Sequence, residues 1–158
     1  MRYRAALIGC GRMGATIDDE VVDRPNSERW IPFSHAAAAV ACERTDLIAV
    51  SDVFEEKAES IRDRYDVPVC YTDFREMIDK ESPDIVCVAT RPGTHEEIVV
   101  HAAESGVRGI YCEKPLCCSM AEADRMVDAV ERHGVKFNYG TQRRYAPAYK
   151  QMRKLIDD

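Results

Sequence analysis

The sequence predicts an α/β fold, a doubly wound parallel sheet of six strands with helices on both faces. Three observations predict it. Short β-rich runs alternate with stretches of helical period along most of the 158 residues, the pattern of strands joined by helical crossovers. The strongest β-rich runs are continuously apolar rather than alternating, as parallel strands covered on both faces require. The first run passes directly into the glycine-rich turn Gly9-Cys10-Gly11-Arg12-Met13-Gly14. The length suits one well-packed domain and is too short for two of ordinary size.

Taken in order, Tyr3–Ile8 is the first strand and ends on Gly9. Ile17–Phe33 fits no period: it is acidic, holds Pro25 and Pro32, and reads as a long excursion before the first full helix. Loops of that length in compact domains tend to be functional or mobile. Ser34 can cap the helix His35–Glu43. The apolar run Leu47–Ser51 is the second strand, followed by a helix over Glu55–Tyr65 and a short third strand, Val69–Tyr71. A helix over Phe74–Lys80 leads to the fourth strand, Ile85–Ala89. The helix His95–Ser105 stops at Gly106, where a left-handed residue closes a helix. Gly109–Cys112 is the fifth strand. Ser119 with Glu122 three residues on forms a capping-box pattern for the helix Ala121–His133, which Gly134 ends. Lys136–Tyr139 is the sixth strand.

Composition narrows the function. A formal net charge of −6 argues against nucleic-acid or membrane-surface binding, which need clustered positive charge; Arg143-Arg144 is a lone basic pair. No stretch approaches the ~20 apolar residues needed to cross a bilayer. Met1–Gly9 begins like a signal peptide, but its apolar run is too short and reads better as a buried strand. The seven cysteines are odd in number, scattered and without a C-x-x-C pair, which suits neither a metal site nor a disulfide framework. A reducing cytoplasm is the simplest compartment.

The glycine turn is the first motif with chemistry. Gly-x-Gly-x-x-Gly alone is weak, but here it ends a buried strand and opens a helix. Gly9 makes the turn, Gly11 lets the backbone approach a pyrophosphate, and Gly14 permits close helix–strand packing. The helix-start amides then meet the phosphate charge. Asp52 follows the second strand, where a carboxylate accepts from ribose hydroxyls and repels a 2′-phosphate. No Arg or Lys immediately follows it, so NAD is favoured over NADP. Asp52 lies farther from the glycines than the usual ~20 residues, and the excursion accounts for the surplus. The plainer readings are a tight turn without ligand and a simple turn residue.

In an open parallel sheet, ligands bind beyond the carboxyl ends of the strands. Two such ends carry chemistry: Thr90-Arg91-Pro92-Gly93-Thr94-His95 after the fourth strand, and Glu113-Lys114-Pro115 after the fifth. A Lys at a strand end, stiffened by a Pro, can hydrogen-bond a substrate hydroxyl or, if desolvated, accept its proton. The alternative is a surface Glu-Lys pair of little consequence. Arg91 reads as a substrate or phosphate contact, or as a loop charge. His95 reads as a helix terminus or cofactor-side contact rather than a base. His101 and His133 look structural, and the role of His35 is open.

These residues resemble the glucose–fructose oxidoreductase / inositol dehydrogenase / MocA (Gfo/Idh/MocA) family over nearly the whole chain. The resemblance rests on Ala6–Gly14, Ala49–Asp52, Val88-Ala89-Thr90 with Pro92 and His95, Glu113-Lys114-Pro115-Leu116, and Gln142–Tyr145 with Pro147. It implies an NAD-binding Rossmann domain of a dehydrogenase acting on a sugar, cyclitol or similar polyol. Lys114 then looks like the family's active-site lysine. The cofactor contacts are expected at Gly9, Gly11, Arg12, Met13, Gly14, Asp52, Thr90, Arg91, Pro92, His95, Glu113 and Lys114, with no metal. The excursion departs from the family pattern, in which the helix runs straight on from the glycine turn. Relatives are about twice as long, with a sheet-rich substrate domain supplying Asp/His partners. The expected division is therefore 1–142 as the dinucleotide-binding domain and 143–158 as a helix leading toward that second domain, absent here. Tyr145, Tyr149, Met152 and Ile156 form a stripe at helical spacing that wants a partner surface. A homo-oligomer or a companion chain is the partner expected beside cofactor and polyol. Two other functions fit the same residues: an NAD-holding module without chemistry, and NAD-dependent glycoside cleavage.

Overall fold

The computed structural model describes residues 1–157; Asp158, the last residue of the expected segment 143–158, lies outside the described residues. Six parallel strands form one sheet in the order β3-β2-β1-β4-β5-β6. They are β1 (Tyr3–Ile8), β2 (Thr45–Ser51), β3 (Val69–Tyr71), β4 (Ile85–Val88), β5 (Gly109–Cys112) and β6 (Lys136–Tyr139). β2 starts two residues before the expected position and β4 stops one residue short of it. Strand order reverses between β1 and β4, so the carboxyl ends of these central strands flank the crevice where such sheets bind ligands.

Among the described residues the seven α-helices are α1 (Asp18–Val21), α2 (His35–Ala41), α3 (Glu55–Arg64), α4 (Phe74–Glu81), α5 (His95–Glu104), α6 (Met120–Arg132) and α7 (Pro147–Asp157). Two apolar clusters sandwich the sheet. Ala6, Ile8, Val86, Val88, Ile110 and Cys112 pack with α4, α5 and α6 on one face. Leu7 and Val50 pack with Ala15, Ala36 and Ile61 on the other. Ala5 through Ile8 are all buried, as the continuous apolar run predicts, and each large side chain so buried contributes about 1.5–3 kcal/mol.

The helix ends follow the sequence punctuation. Ser34 Oγ accepts from the amide of Ala37 and Ser119 Oγ from that of Glu122. Glu122 reaches back to the amide of Cys118 rather than to that of Ser119. Gly106 and Gly134 adopt φ of +84° and +67°, values a residue with Cβ avoids.

The excursion needs a correction. A wide helical turn, Arg12–Thr16, leaves the glycine turn and runs through Ile17 into α1. The helix does run straight on, and the irregular segment is confined to residues 22–33, with one further short turn at Ser27–Arg29. Asp18 closes it: Oδ1 accepts from the amide of Phe33 (2.7 Å) and Oδ2 from that of Ser34 (3.0 Å). The segment thus leaves and rejoins one helical layer. At the other end of the chain, Tyr145, Tyr149, Met152 and Ile156 remain exposed.

Candidate functional site

A cavity of about 710 Å³ lies along the carboxyl edge of the sheet. The glycine turn forms one wall, and the geometry assigns its three glycines different constraints. A Cβ on Gly14 would fall 1.9 Å from the carbonyl oxygen of Gly9, and one on Gly9 (φ +96°) would fall 2.7 Å from the backbone of Ala89. A Cβ on Gly11 would meet nothing within 4 Å, because that position faces the open cavity. The turn is therefore packed tight below and left bare above, the shape that lets a pyrophosphate approach the backbone. The first amides of the helical run from Arg12 have no partner within it and carry partial positive charge.

Arg12 and Met13 also line the cavity, although the Arg12 guanidinium is held sideways by Glu20 through two hydrogen bonds (2.6 and 2.7 Å). Gly14 lies beneath the turn, buried rather than on the wall. Asp52 stands where the sequence puts it, at the end of β2 and on the cavity wall. Its Oδ2 accepts from the amide of Cys10 (2.9 Å) and its Oδ1 from that of Phe54 (3.0 Å). Sequence reasoning missed Lys57, which lines the same wall and places its ammonium 4.7 Å from the Phe54 ring centre. Its position in the first turn of α3, five residues after Asp52, was the available signal.

The opposite wall comes from the ends of β4 and β5. Thr90 and Arg91 line the cavity, with the hydroxyl of Thr94 donating to that of Thr90 at 2.9 Å. Pro92 begins a short helical turn, Pro92–Thr94, and is not on the wall. His95 is not on it either: the ring is 0% exposed. Its Nδ1 lies 3.0 Å from the carbonyl oxygen of Leu116 and its Nε2 3.2 Å from that of Thr90. The sequence signal put His95 near the cofactor, whereas the structure puts it behind the wall.

Lys114 is exposed and lines the cavity beside Glu113. The Lys114–Pro115 peptide bond is cis. Glu113 is buried, and its carboxylate is held from several sides. Oε1 meets Nε2 of His35 at 3.1 Å, and Oε2 accepts from the amide of Lys114 at 3.2 Å. Burial alone would disfavour the imidazolium of His35, but its contacts with Cys87 and Glu113 outweigh that and raise it to about 9. Burial would likewise raise the Glu113 carboxyl, and the hydrogen bond and charge of His35 bring it below the ordinary value instead. The two groups form a buried ion pair. His35, open at the sequence level, is thereby tied to the strand end that carries Lys114. His101 meets Asp79 at 3.2 Å on α4, away from the cavity.

Known proteins agree with this geometry. Residues 3–141 match the oxidoreductase family with an NAD-binding Rossmann fold, Gfo/Idh/MocA. The myo-inositol 2-dehydrogenase of Thermotoga maritima is 26% identical over 98% of this chain and 41% of its own length. The scyllo-inositol 2-dehydrogenase (NAD(+)) of Bacillus subtilis is 28% identical over 99% of this chain and 40% of its own. The crystal structure of myo-inositol 2-dehydrogenase from Lactobacillus plantarum superposes with a TM-score of 0.77 at 26% identity, over 99% of this chain and 41% of that one. The chain thus spans about two fifths of the length of these relatives. Its residues 3–141 are the NAD-binding Rossmann domain of a member of the Gfo/Idh/MocA oxidoreductase family.

Proposed function

We propose that the chain is the cofactor-holding part of an NAD-dependent dehydrogenase of a sugar, cyclitol or related polyol, with Lys114 as its catalytic residue. The observation that carries the reading is one cavity walled by the glycine turn on one side and by Lys114 on the other. The amides of the turn and of the helix start would hold the pyrophosphate, and Asp52 the ribose hydroxyls. Thr90, Arg91 and Glu113 would border the nicotinamide end. The bound nicotinamide supplies the hydride acceptor for a carbon bearing hydroxyl.

Lys114 acts on the hydroxyl itself. As an ammonium it donates a hydrogen bond to the substrate oxygen; as an amine it accepts the hydroxyl proton while hydride leaves the same carbon. Glu113, fixed by His35, keeps a negative charge beside it. The carboxylate of Asp52 disfavours a 2′-phosphate and supports NAD over NADP. The names of the relatives support the polyol class. The cytoplasm is supported by seven free thiols, and no helix among the described residues is long and apolar enough to cross a membrane.

A second reading is a module that holds NAD without chemistry, for which the glycine turn and Asp52 on the cavity wall suffice. One experiment separates the two: titration with NADH and NADPH, then NAD reduction assays with a panel of sugars and inositols. NADH binding with turnover that Lys114→Met abolishes supports the dehydrogenase. NADH binding without turnover on any polyol, by the chain alone and when joined to a substrate domain, supports the module, and no NADH binding overturns both.

A further inference from the structure

We infer that His35 and His95 are positioning residues that clamp the segment Glu113–Leu116 from opposite faces of the sheet and so set the reach of Lys114 into the cavity. The inference rests on the proposed role of Lys114. Each histidine is the first residue of its helix, His35 of α2 and His95 of α5. The two helices pack into different apolar clusters, one on each face. Their rings converge on four consecutive residues: His35 Nε2 on the carboxylate of Glu113 (3.1 Å), and His95 Nδ1 on the carbonyl oxygen of Leu116 (3.0 Å). Lys114 lies between these anchors and is itself exposed.

Both anchors are closely packed. The His35 ring meets Tyr111 edge-on at 4.7 Å between centroids. Behind Glu113 stands the backbone of Gly140, where even a Cβ would come within 3.3 Å of Oε2. His95 is wholly buried, and its second nitrogen reaches the carbonyl of Thr90 at 3.2 Å. The ring therefore touches both strand-end loops that form this wall, donating to one carbonyl through the single N–H of a neutral imidazole and packing against the other. A long, solvated lysine stem gains a defined reach only if the backbone that carries it is fixed, since a displacement of about 1 Å at a reacting group can cost about 100-fold in rate.

The two histidines use different ring nitrogens toward the loop, which gives a reciprocal test. Asn offers a side-chain N–H near the Nδ1 position and Gln one near Nε2. His35→Gln and His95→Asn should keep the loop bonds, while His35→Asn and His95→Gln should lose them. The readout is amide hydrogen exchange, by mass spectrometry, of a peptide spanning residues 113–117 in the full chain without cofactor. The disruptive pair should exchange there about tenfold faster, as for loss of one well-formed hydrogen bond, with β3 and α3 at wild-type rates. The conservative pair should stay within about threefold of wild type. Equal exchange within each Asn/Gln pair, or acceleration across the whole sheet, would overturn the clamp. If a disruptive variant does not fold, the conservative one at the same histidine still decides: fast exchange at 113–117 there overturns it, and retained protection supports it. Because no cofactor is present, failure of wild type to bind NADH would sink the proposed function without touching this result.

Discussion

The amide of Cys10 donates to Oδ2 of Asp52 across 2.9 Å, which fastens the glycine turn to the end of β2. With Oδ1 taken by the amide of Phe54, the carboxylate is oriented before any ligand arrives. Each oxygen keeps a second lone pair for a ribose hydroxyl. Asp52→Ala should therefore lower stability by about 1–3 kcal/mol through two lost hydrogen bonds, and weaken NADH binding at least about tenfold. Denaturant unfolding and NADH titration read the two effects separately. Lost stability with unchanged affinity would reduce Asp52 to a turn residue.

The glycines of the turn should separate folding from binding. Gly14→Ala places a methyl 1.9 Å from the carbonyl of Gly9, an overlap that neither backbone segment can relieve without opening the turn. A loss of about 3 kcal/mol or more is expected. Gly11→Ala meets nothing, so its melting temperature should stay near wild type while NADH affinity falls, because the methyl occupies the space a pyrophosphate needs. Thermal melts paired with NADH titration check both. A well-folded Gly14→Ala, or a Gly11→Ala that binds like wild type, contradicts this account.

Much of this was legible in the sequence, for identifiable reasons. Runs such as Ile85–Val88 and Gly109–Cys112 carry their own signal, since a strand covered on both faces must be apolar throughout. Ser34, Ser119, Gly106 and Gly134 act on their own helices and are readable from neighbours alone. The glycine turn and Lys114 sit at strand ends, so a correct strand assignment brings them to one cavity. Asp18, His35 and His95 were not legible in this way. Their partners lie on other elements, with His35 and Glu113 78 positions apart, and a single polar residue at a helix start has no periodicity to betray its partner. His95 shows the consequence: its place beside a ligand loop suggested a cofactor contact, while burial turned its ring toward two backbone carbonyls.

The His35–Glu113 pair makes stability fall on the alkaline side. His35 is raised to about 9 in the folded protein, above its ordinary value of about 6.5. Its contribution is fully present below about pH 6.5 and is lost as pH rises toward about 9. Glu113 is shifted down, so its contribution is present above the ordinary carboxyl range and is lost as pH falls through its lowered value. The groups facing the His35 ring are Glu113, Cys87 and Tyr111. Melting temperatures measured at fixed ionic strength should decline from pH 6.5 to 9 in wild type. In His35→Asn that decline should flatten. Parallel slopes in the two proteins would mean that the pair does not control it.

Asp18 should govern the irregular segment 22–33 without governing the cofactor site. It is only 9% exposed and receives two amide hydrogen bonds, from Phe33 and Ser34. Burial works against its charge, but the Ser34 hydroxyl together with these two amides keeps its carboxyl below the ordinary value. Asp18→Ala removes the acceptor and leaves two amides without their partner, a loss of about 2–4 kcal/mol. The loss should also free the segment locally, because the carboxylate joins its two ends. Limited trypsin digestion should then cut first after Arg29, exposed within that segment, while the Gly9–Gly14 turn and NADH affinity stay near wild type. Early cleavage elsewhere, or NADH affinity falling in step with stability, would show that Asp18 supports the whole helical layer rather than the seam of the excursion.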